Sequence, residues 1–162
     1  MASASSRPVS AGVLMHRIGG DGEVEVLIAH PGGPFWARKD AGAWTIPKGL
    51  ANGDEDLEAA ARREFTEETG AAAPQELTDL GVVVQRAGKR VHAFAGEGDL
   101  DPATVVSNLV PVQWPPRSGR TIEVPEIDRV SWVSLDEARR LLNPAQAALI
   151  VRLADHLKTG DR

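Results

Sequence analysis

The stretch "GLANGDEDLEAAARREFTEETGA", residues 49–71, decides how the rest of the chain is read. Its second half is patterned as a helix: the acidic opening suits the positive end of a helix dipole, and Gly70 suits a C-terminal stop. Leu57, Ala61, Glu64 and Glu68 follow one another at spacings of four, three and four, the stripe that a helix turns toward the core. At about 100° per residue, Glu64 and Glu68 fall within about 20° of Leu57. Carboxylates therefore stand where aliphatic side chains are expected.

Glu64, Glu67 and Glu68 occupy positions i, i+3 and i+4 and project from neighbouring points of one surface. Partly desolvated at that spacing, they repel one another and protonate unless a cation holds them ionised. Oxygen ligands at such density select hard cations, chiefly Mg²⁺, which keeps several waters and shares its shell with substrate phosphates. Glutamate runs on helices are usually solvated faces. Here, however, the obvious water-facing positions are Glu58, Arg62, Thr66 and Thr69. Arg63 lies four residues before Glu67, close enough to fix that carboxylate in one rotamer.

Outward from this helix, apolar alternation predicts a hairpin from "AGVLMHR" (residues 11–17) and "EVEVLIAH" (23–30), joined by the turn "IGGDG". "HPGGPFWARKDAG" reads as a surface loop, and "AWTIPKG" as a short strand ending at Pro47. After the helix, "LTDLGVVVQRAGKRVHAFAGEGD" predicts two strands joined near Gly88, and "SNLVPVQW" predicts another. "PPRSGRTIEVPE" reads as a loop and "IDRVSWVS" as a strand. Ser134 and Glu137 have capping-box spacing, and Asn143-Pro144 opens a last amphipathic helix through Leu157. There is no internal repeat. Strands on both sides of one central helix, closed by C-terminal helices, predict an α+β chain with a mixed sheet sandwiched between helices.

The bulk properties bound the function. A chain of 162 residues fits one domain. Residues 1–10, small and polar, are expected to form a flexible tail without the character of a secretory signal, and residues 11–159 the domain. No apolar stretch approaches the roughly 20 residues that span a bilayer. A net charge of −5 argues against a general nucleic-acid binder. The sequence contains no cysteine, which excludes disulfides, thiolate metal sites and cysteine nucleophiles and is compatible with a cytoplasmic setting.

The residues Gly49, Glu55, Arg63, Glu64, Phe65, Glu67, Glu68 and Gly70 match the Nudix box, GX5EX7REUXEEXGU with U a bulky apolar residue; only the final U departs, being Ala71. The chain thus resembles the Nudix hydrolases. In "HPGGPFWARKDAGAWTIPKG", "WPPRSGR" and "PEIDRVSW" it is similar to a bacterial branch of NTP pyrophosphohydrolases. The resemblance implies a Nudix-type α/β/α sandwich and hydrolysis of a nucleoside diphosphate linked to a further group X. It also implies Mg²⁺, replaceable by Mn²⁺, on Glu64, Glu67, Glu68 and the Gly49 carbonyl, with Glu55 and Arg63 locking loop to helix.

The general base stays open between Glu64 and Glu126, with Glu123 and Glu97 behind the latter. Lys48, in "PKG", resembles the lysine version found in diadenosine polyphosphate and diphosphoinositol polyphosphate hydrolases, where it could reach a distal phosphate or point to water. Trp36 is a candidate to stack on a nucleobase, and Arg120 a candidate substrate cation. No histidine has ligand spacing. The expected partner is a phosphorylated nucleotide, with a nucleoside triphosphate or dinucleoside polyphosphate first, and neither nucleic acid nor membrane; the protein is expected to be a monomer or homodimer. The alternatives are an inositol pyrophosphate phosphohydrolase and a non-catalytic nucleotide-sensing module.

Overall fold

In the computed structural model, residues 8–160 are described. The elements run β1 (Val9–Ile18), β2 (Val24–Pro31), β3 (Lys48–Leu50), α1 (Leu57–Thr69), β4 (Thr78–Val84), β5 (Arg90–Glu97), β6 (Leu109–Gln113), β7 (Thr121–Pro125), β8 (Ile127–Ser134), α2 (Leu135–Leu141) and α3 (Ala147–Gly160). The main sheet has the order β4-β5-β1-β2-β8, with β3 also on β1; β1 and β5 are parallel and the other pairs antiparallel. This is the mixed sheet expected, and β6 pairs with β7 in a separate two-stranded ribbon.

Strand alternation sends side chains into two cores. Leu14, Val26, Ile28, Val91 and Ala93 meet Trp44 and the C-terminal helix residues Leu141, Leu149, Ile150 and Leu153 on one face. Val13, Met15, Leu27, Ala29 and Phe94 meet Ala60, Ala61 and Phe65 of α1 on the other. The result is the α/β/α sandwich. No helix among the described residues is long and apolar enough to cross a membrane.

Helix α1 begins and ends where its sequence signals lie. The Asp56 carboxylate accepts from the Ala59 amide at 3.0 Å, and Gly70 closes the helix in the left-handed conformation, φ 79°. At α2, Ser134 Oγ accepts from the Glu137 amide at 3.1 Å. The Glu137 carboxylate turns to Arg140 instead of completing the capping box.

Four expectations need correction. Thr69, expected to face water on α1, is buried, its hydroxyl satisfied by donating to the Phe65 carbonyl at 2.7 Å. The strand expected to end at Pro47 instead follows it, as β3, because Pro47 has no N–H and serves as an acceptor, its carbonyl taking the Val13 amide at 3.1 Å. The segment taken as the loop "PPRSGRTIEVPE" contains β7, whose amides find partners across a ribbon with β6. The strand β1 starts at Val9, inside the span assigned to the tail, because Val9 and Ser10 pair with Arg90 and Val91; residues 1–7 of that span lie outside the described residues.

The edge of β1 is shared. Its first half pairs with β3 at Ser10, Ala11 and Gly12, its second half with β2 at His16, Arg17 and Ile18. Segment 44–50 is wedged between the diverging strands, with Thr45 bridging to Ala29. Lys48 and Gly49 are thereby held at the centre of the sheet, directly against α1.

Candidate active site

Gly49 and Glu64 make the closest approach of β3 to α1. A Cβ on Gly49 would collide with a Glu64 carboxylate oxygen, so only glycine leaves room for that carboxylate where it lies against the strand. One residue earlier, the Lys48 amide donates to Glu68 Oε1 at 3.0 Å. Glu64 and Glu68 are both buried, as their place on the apolar stripe implied.

Arg63 ties these parts together. Its Nε and Nη2 donate to the two oxygens of Glu55 at 3.0 and 2.8 Å, its Nη1 to Glu64 at 2.7 Å and to Glu67 at 3.3 Å, and its Nη2 to the Leu50 carbonyl at 3.2 Å. The arginine holds Glu55 well below the usual carboxylate range, at about 2. A lysine would keep the charge and lose the fork. Arg63→Lys is therefore expected to lower metal affinity or turnover about 10–100-fold, measured by Mg²⁺ titration of activity; an unchanged titration curve would show the fork to be dispensable.

Burial pushes Glu68 up to about 9, with Glu126 beside it adding to the rise and the Lys48 amide opposing it. Glu64 is also raised, first by burial, against the pull of Arg63. Glu67 is half exposed and held by Arg63, and among the described residues no three acidic or imidazole side chains form a finished cation cage. The donor set nevertheless fits a hard divalent ion. All of it is oxygen, and while Glu64 shares Arg63, the buried Glu68 stands beside a second carboxylate, Glu126, with no ion-pair partner among the described residues to keep it ionised.

Glu126 arrives from the far end of the chain, between β7 and β8. Its backbone N–H donates to the Asn108 carbonyl at 2.9 Å, and the Asn108 amide donates to its Oε1 at 3.0 Å, so one asparagine orients both ends of the residue. Glu123 is exposed on β7, and Glu97 lines a separate cavity with His16 and His156. Arg120 is not brought to the site: it lies in the exposed turn of the β6–β7 ribbon, which the pairing of the unforeseen β7 carries outward.

Over this patch opens a cleft of two lobes that share Lys48, Gln85, Ala87, Lys89 and Glu126. One, about 460 Å³, is walled by Trp36, Trp44, Arg86 and Glu68. The other, about 600 Å³, is walled by Ser10, Gly49, Leu50 and Arg90. Burial lowers the Lys48 ammonium from its ordinary value despite Glu68, and neighbouring Lys89 lowers it further. The side chain thus lines the cleft and does not run out to water.

The loop bearing Trp36 is anchored by His30, which is fully buried. Its Nε2 lies 2.7 Å from the Lys39 carbonyl and its Nδ1 3.1 Å from Asp128. This is a positioning role for a histidine that ligand spacing could not reveal. Gln146, also fully buried, accepts from the Ile46 amide at 2.9 Å and donates to Thr45 Oγ1 at 3.0 Å and Gln85 Oε1 at 2.8 Å. It joins the C-terminal layer to two walls of the cleft. Asn108, Gln85, Arg90 and Gln146 all carry no local sequence signal, because their partners are distant in the chain.

The family model described as NUDIX domain matches residues 6–153. No curated protein sequence matches the chain significantly. Among solved structures, a C. elegans Ap4A hydrolase in a binary complex is 21% identical, with 93% of this chain and 98% of that one covered and a TM-score of 0.64. The NUDIX domain of Shewanella oneidensis NrtR, complexed with ADP ribose, is 17% identical, with coverage of 94% and 89% and a TM-score of 0.65. At these identities the likeness concerns the fold. RenU, a Nudix hydrolase from M. smegmatis, is 26% identical, with coverage of 94% and 87% and a TM-score of 0.56.

Proposed function

The chain belongs to the NUDIX domain family, hydrolases of pyrophosphate bonds, and from that premise we propose a Mg²⁺-dependent enzyme that cleaves a nucleoside diphosphate linked to X. A nucleoside triphosphate or dinucleoside polyphosphate is the favoured substrate. The observation that carries this reading is the meeting of Glu126 and Glu68 beneath a cleft lined by both cations and an indole. Similarity to an Ap4A hydrolase and to a domain that binds ADP ribose supports a nucleotide ligand.

In this reading Glu64, Glu67, Glu68 and the Gly49 carbonyl hold Mg²⁺, which Mn²⁺ can replace. The bound ion supplies charge neutralisation and Lewis acidity at the diphosphate. Arg63 and Glu55 keep the carboxylates in place. Lys48 takes a phosphate oxygen, and Trp36 stacks on the base, a contact worth roughly 1–3 kcal/mol. Glu126 removes the proton from the attacking water. It is favoured over Glu64 because Glu64 is ion-paired to the Arg63 guanidinium at 2.7 Å, which lowers its basicity, whereas Glu126 accepts only from the neutral Asn108 amide at 3.0 Å.

The test is a screen of the purified protein with Mg²⁺ against nucleoside triphosphates, dinucleoside polyphosphates, nucleotide sugars and inositol pyrophosphates, with products identified in ¹⁸O-labelled water. Binding without cleavage of any of them would convert the proposal to a nucleotide sensor. Within an active enzyme, Glu126→Gln is expected to lower kcat about 10²–10⁴-fold. An unchanged rate would acquit Glu126.

A further inference from the structure

Arg90 begins β5, paired with Val9 of β1 on one side and Val84 of β4 on the other. Its Nε is buried and has no hydrogen-bond partner among the described residues. A buried donor on a charged group is costly to leave unpaired, so the position calls for an acceptor that the described residues do not supply. Arg90 lines the larger lobe of the cleft together with Lys48 and Lys89.

The sign of that lobe is opposite to that of the chain. Its charged lining is Lys48, Lys89, Arg90 and Glu126, whereas the protein as a whole carries −5. Glu126 acts on Lys48 together with Glu68 and Glu64, whereas Lys89 and Arg90 form no ion pair with a carboxylate among the described residues. Pro8, Leu50 and Val91 add apolar wall, and the other polar side chains are Ser10 and Gln85, whose Oε1 already accepts from Gln146 at 2.8 Å. A volume of about 600 Å³ is ample for a chain of phosphoryl groups.

We propose that this lobe is a subsite for a phosphate-ended X, in which Arg90, backed by Lys89, grips the terminal phosphoryl group and so selects substrates whose X ends in phosphate over those whose X ends in a neutral sugar. The inference rests on the nucleotide-hydrolase reading above and extends it to the chemistry of X. Guanidinium and phosphate match as fork to paired oxygens, and the pairing is charge-assisted. The lobe shares Lys48 and Glu126 with the Trp36 lobe, so base and terminal phosphate would bind on opposite sides of the scissile linkage.

The experiment compares adenosine 5′-tetraphosphate with ADP-ribose as substrates of the wild-type protein and of Arg90→Gln, in the presence of Mg²⁺. The wild type is expected to prefer the tetraphosphate in kcat/KM, and the variant to lose that preference by about tenfold or more, chiefly through KM. Lys89→Gln, at an exposed hairpin position, provides a second variant whose folding is not in question, with a smaller shift in the same direction. Calorimetric binding of inorganic triphosphate to wild type and variants runs alongside.

Weaker triphosphate binding by Arg90→Gln supports the subsite even if no substrate is cleaved, in which case only the hydrolase reading falls. Cleavage of both substrates with a ratio unmoved by either substitution would overturn the subsite and leave the hydrolase reading standing. Equal triphosphate binding by all three proteins would also overturn it.

Discussion

Glu68→Gln is expected to abolish Mg²⁺-dependent turnover while making the metal-free protein more stable. A divalent ion at a phosphoryl oxygen supplies several kcal/mol of charge stabilisation, and each 1.36 kcal/mol is tenfold in rate. Loss of a buried ligand should therefore lower kcat by roughly a thousandfold. The stability change has the opposite sign. The metal-free fold raises Glu68 from 4.5 to about 9, so ionised Glu68 opposes folding. That opposition is absent below the unfolded value of 4.5 and grows as pH climbs toward 9.

The neutral amide removes it, still accepts from the Lys48 amide, and can donate to Glu126. With a chelator at about pH 8, the variant should melt at least about 3 °C higher, corresponding to roughly 1 kcal/mol in a domain of this size. At about pH 4 the gain should vanish. Retained turnover would take Glu68 out of the metal shell, and a lower melting temperature at the higher pH would contradict the burial argument.

Gly49→Ala is expected to be nearly as damaging to catalysis and mild to the fold. The new methyl group would meet the Glu64 carboxylate, the far end of a flexible side chain, and not backbone. Glu64 can swing aside at small cost to stability, but it then leaves the strand and strains its 2.7 Å contact with Arg63. A displacement of about 1 Å in a catalytic constellation costs about a hundredfold. Steady-state kinetics beside a thermal melt would read both effects. Full activity in a normally folded Gly49→Ala protein would mean that the Glu64 position seen here is not the working one.

Local chemistry made much of the fold legible. Asp56 and Gly70 delimit α1 by capping, the "IGGDG" turn makes a hairpin, and the alternation in β1 and β2 feeds two cores. The error at β7 has the same origin as these successes. Proline and glycine dominate the signal of residues 115–126, whereas the ribbon is set by pairing with β6, which no local pattern encodes. The strand before Pro47 was misplaced because bridges to Ala29 and Leu142 hold that segment without making a continuous ladder.

The candidate site divides in the same way. Glu55, Arg63, Glu64, Glu67 and Glu68 share a helix and its leading loop, so their spacing carries the geometry. Glu126 could be singled out as an acid before the last strand, but its contact with Glu68 and its orientation by Asn108 arise from the fold. Arg120 and Arg90 show the limit most directly. Both are arginines at predicted strand or loop ends, and only the topology sends one outward and the other into the cleft.

Gln146 bears on any attempt to re-engineer this molecule. Because one buried amide clasps the Ile46 backbone N–H, the Thr45 hydroxyl and the Gln85 side chain, the β4–β5 hairpin is not a detachable cassette. A transplanted hairpin would have to present an acceptor where Gln85 Oε1 now sits, or leave an orphaned amide under the floor of the cleft. Loop grafting to redirect specificity would therefore succeed only when donor hairpin and C-terminal layer are exchanged as a matched pair.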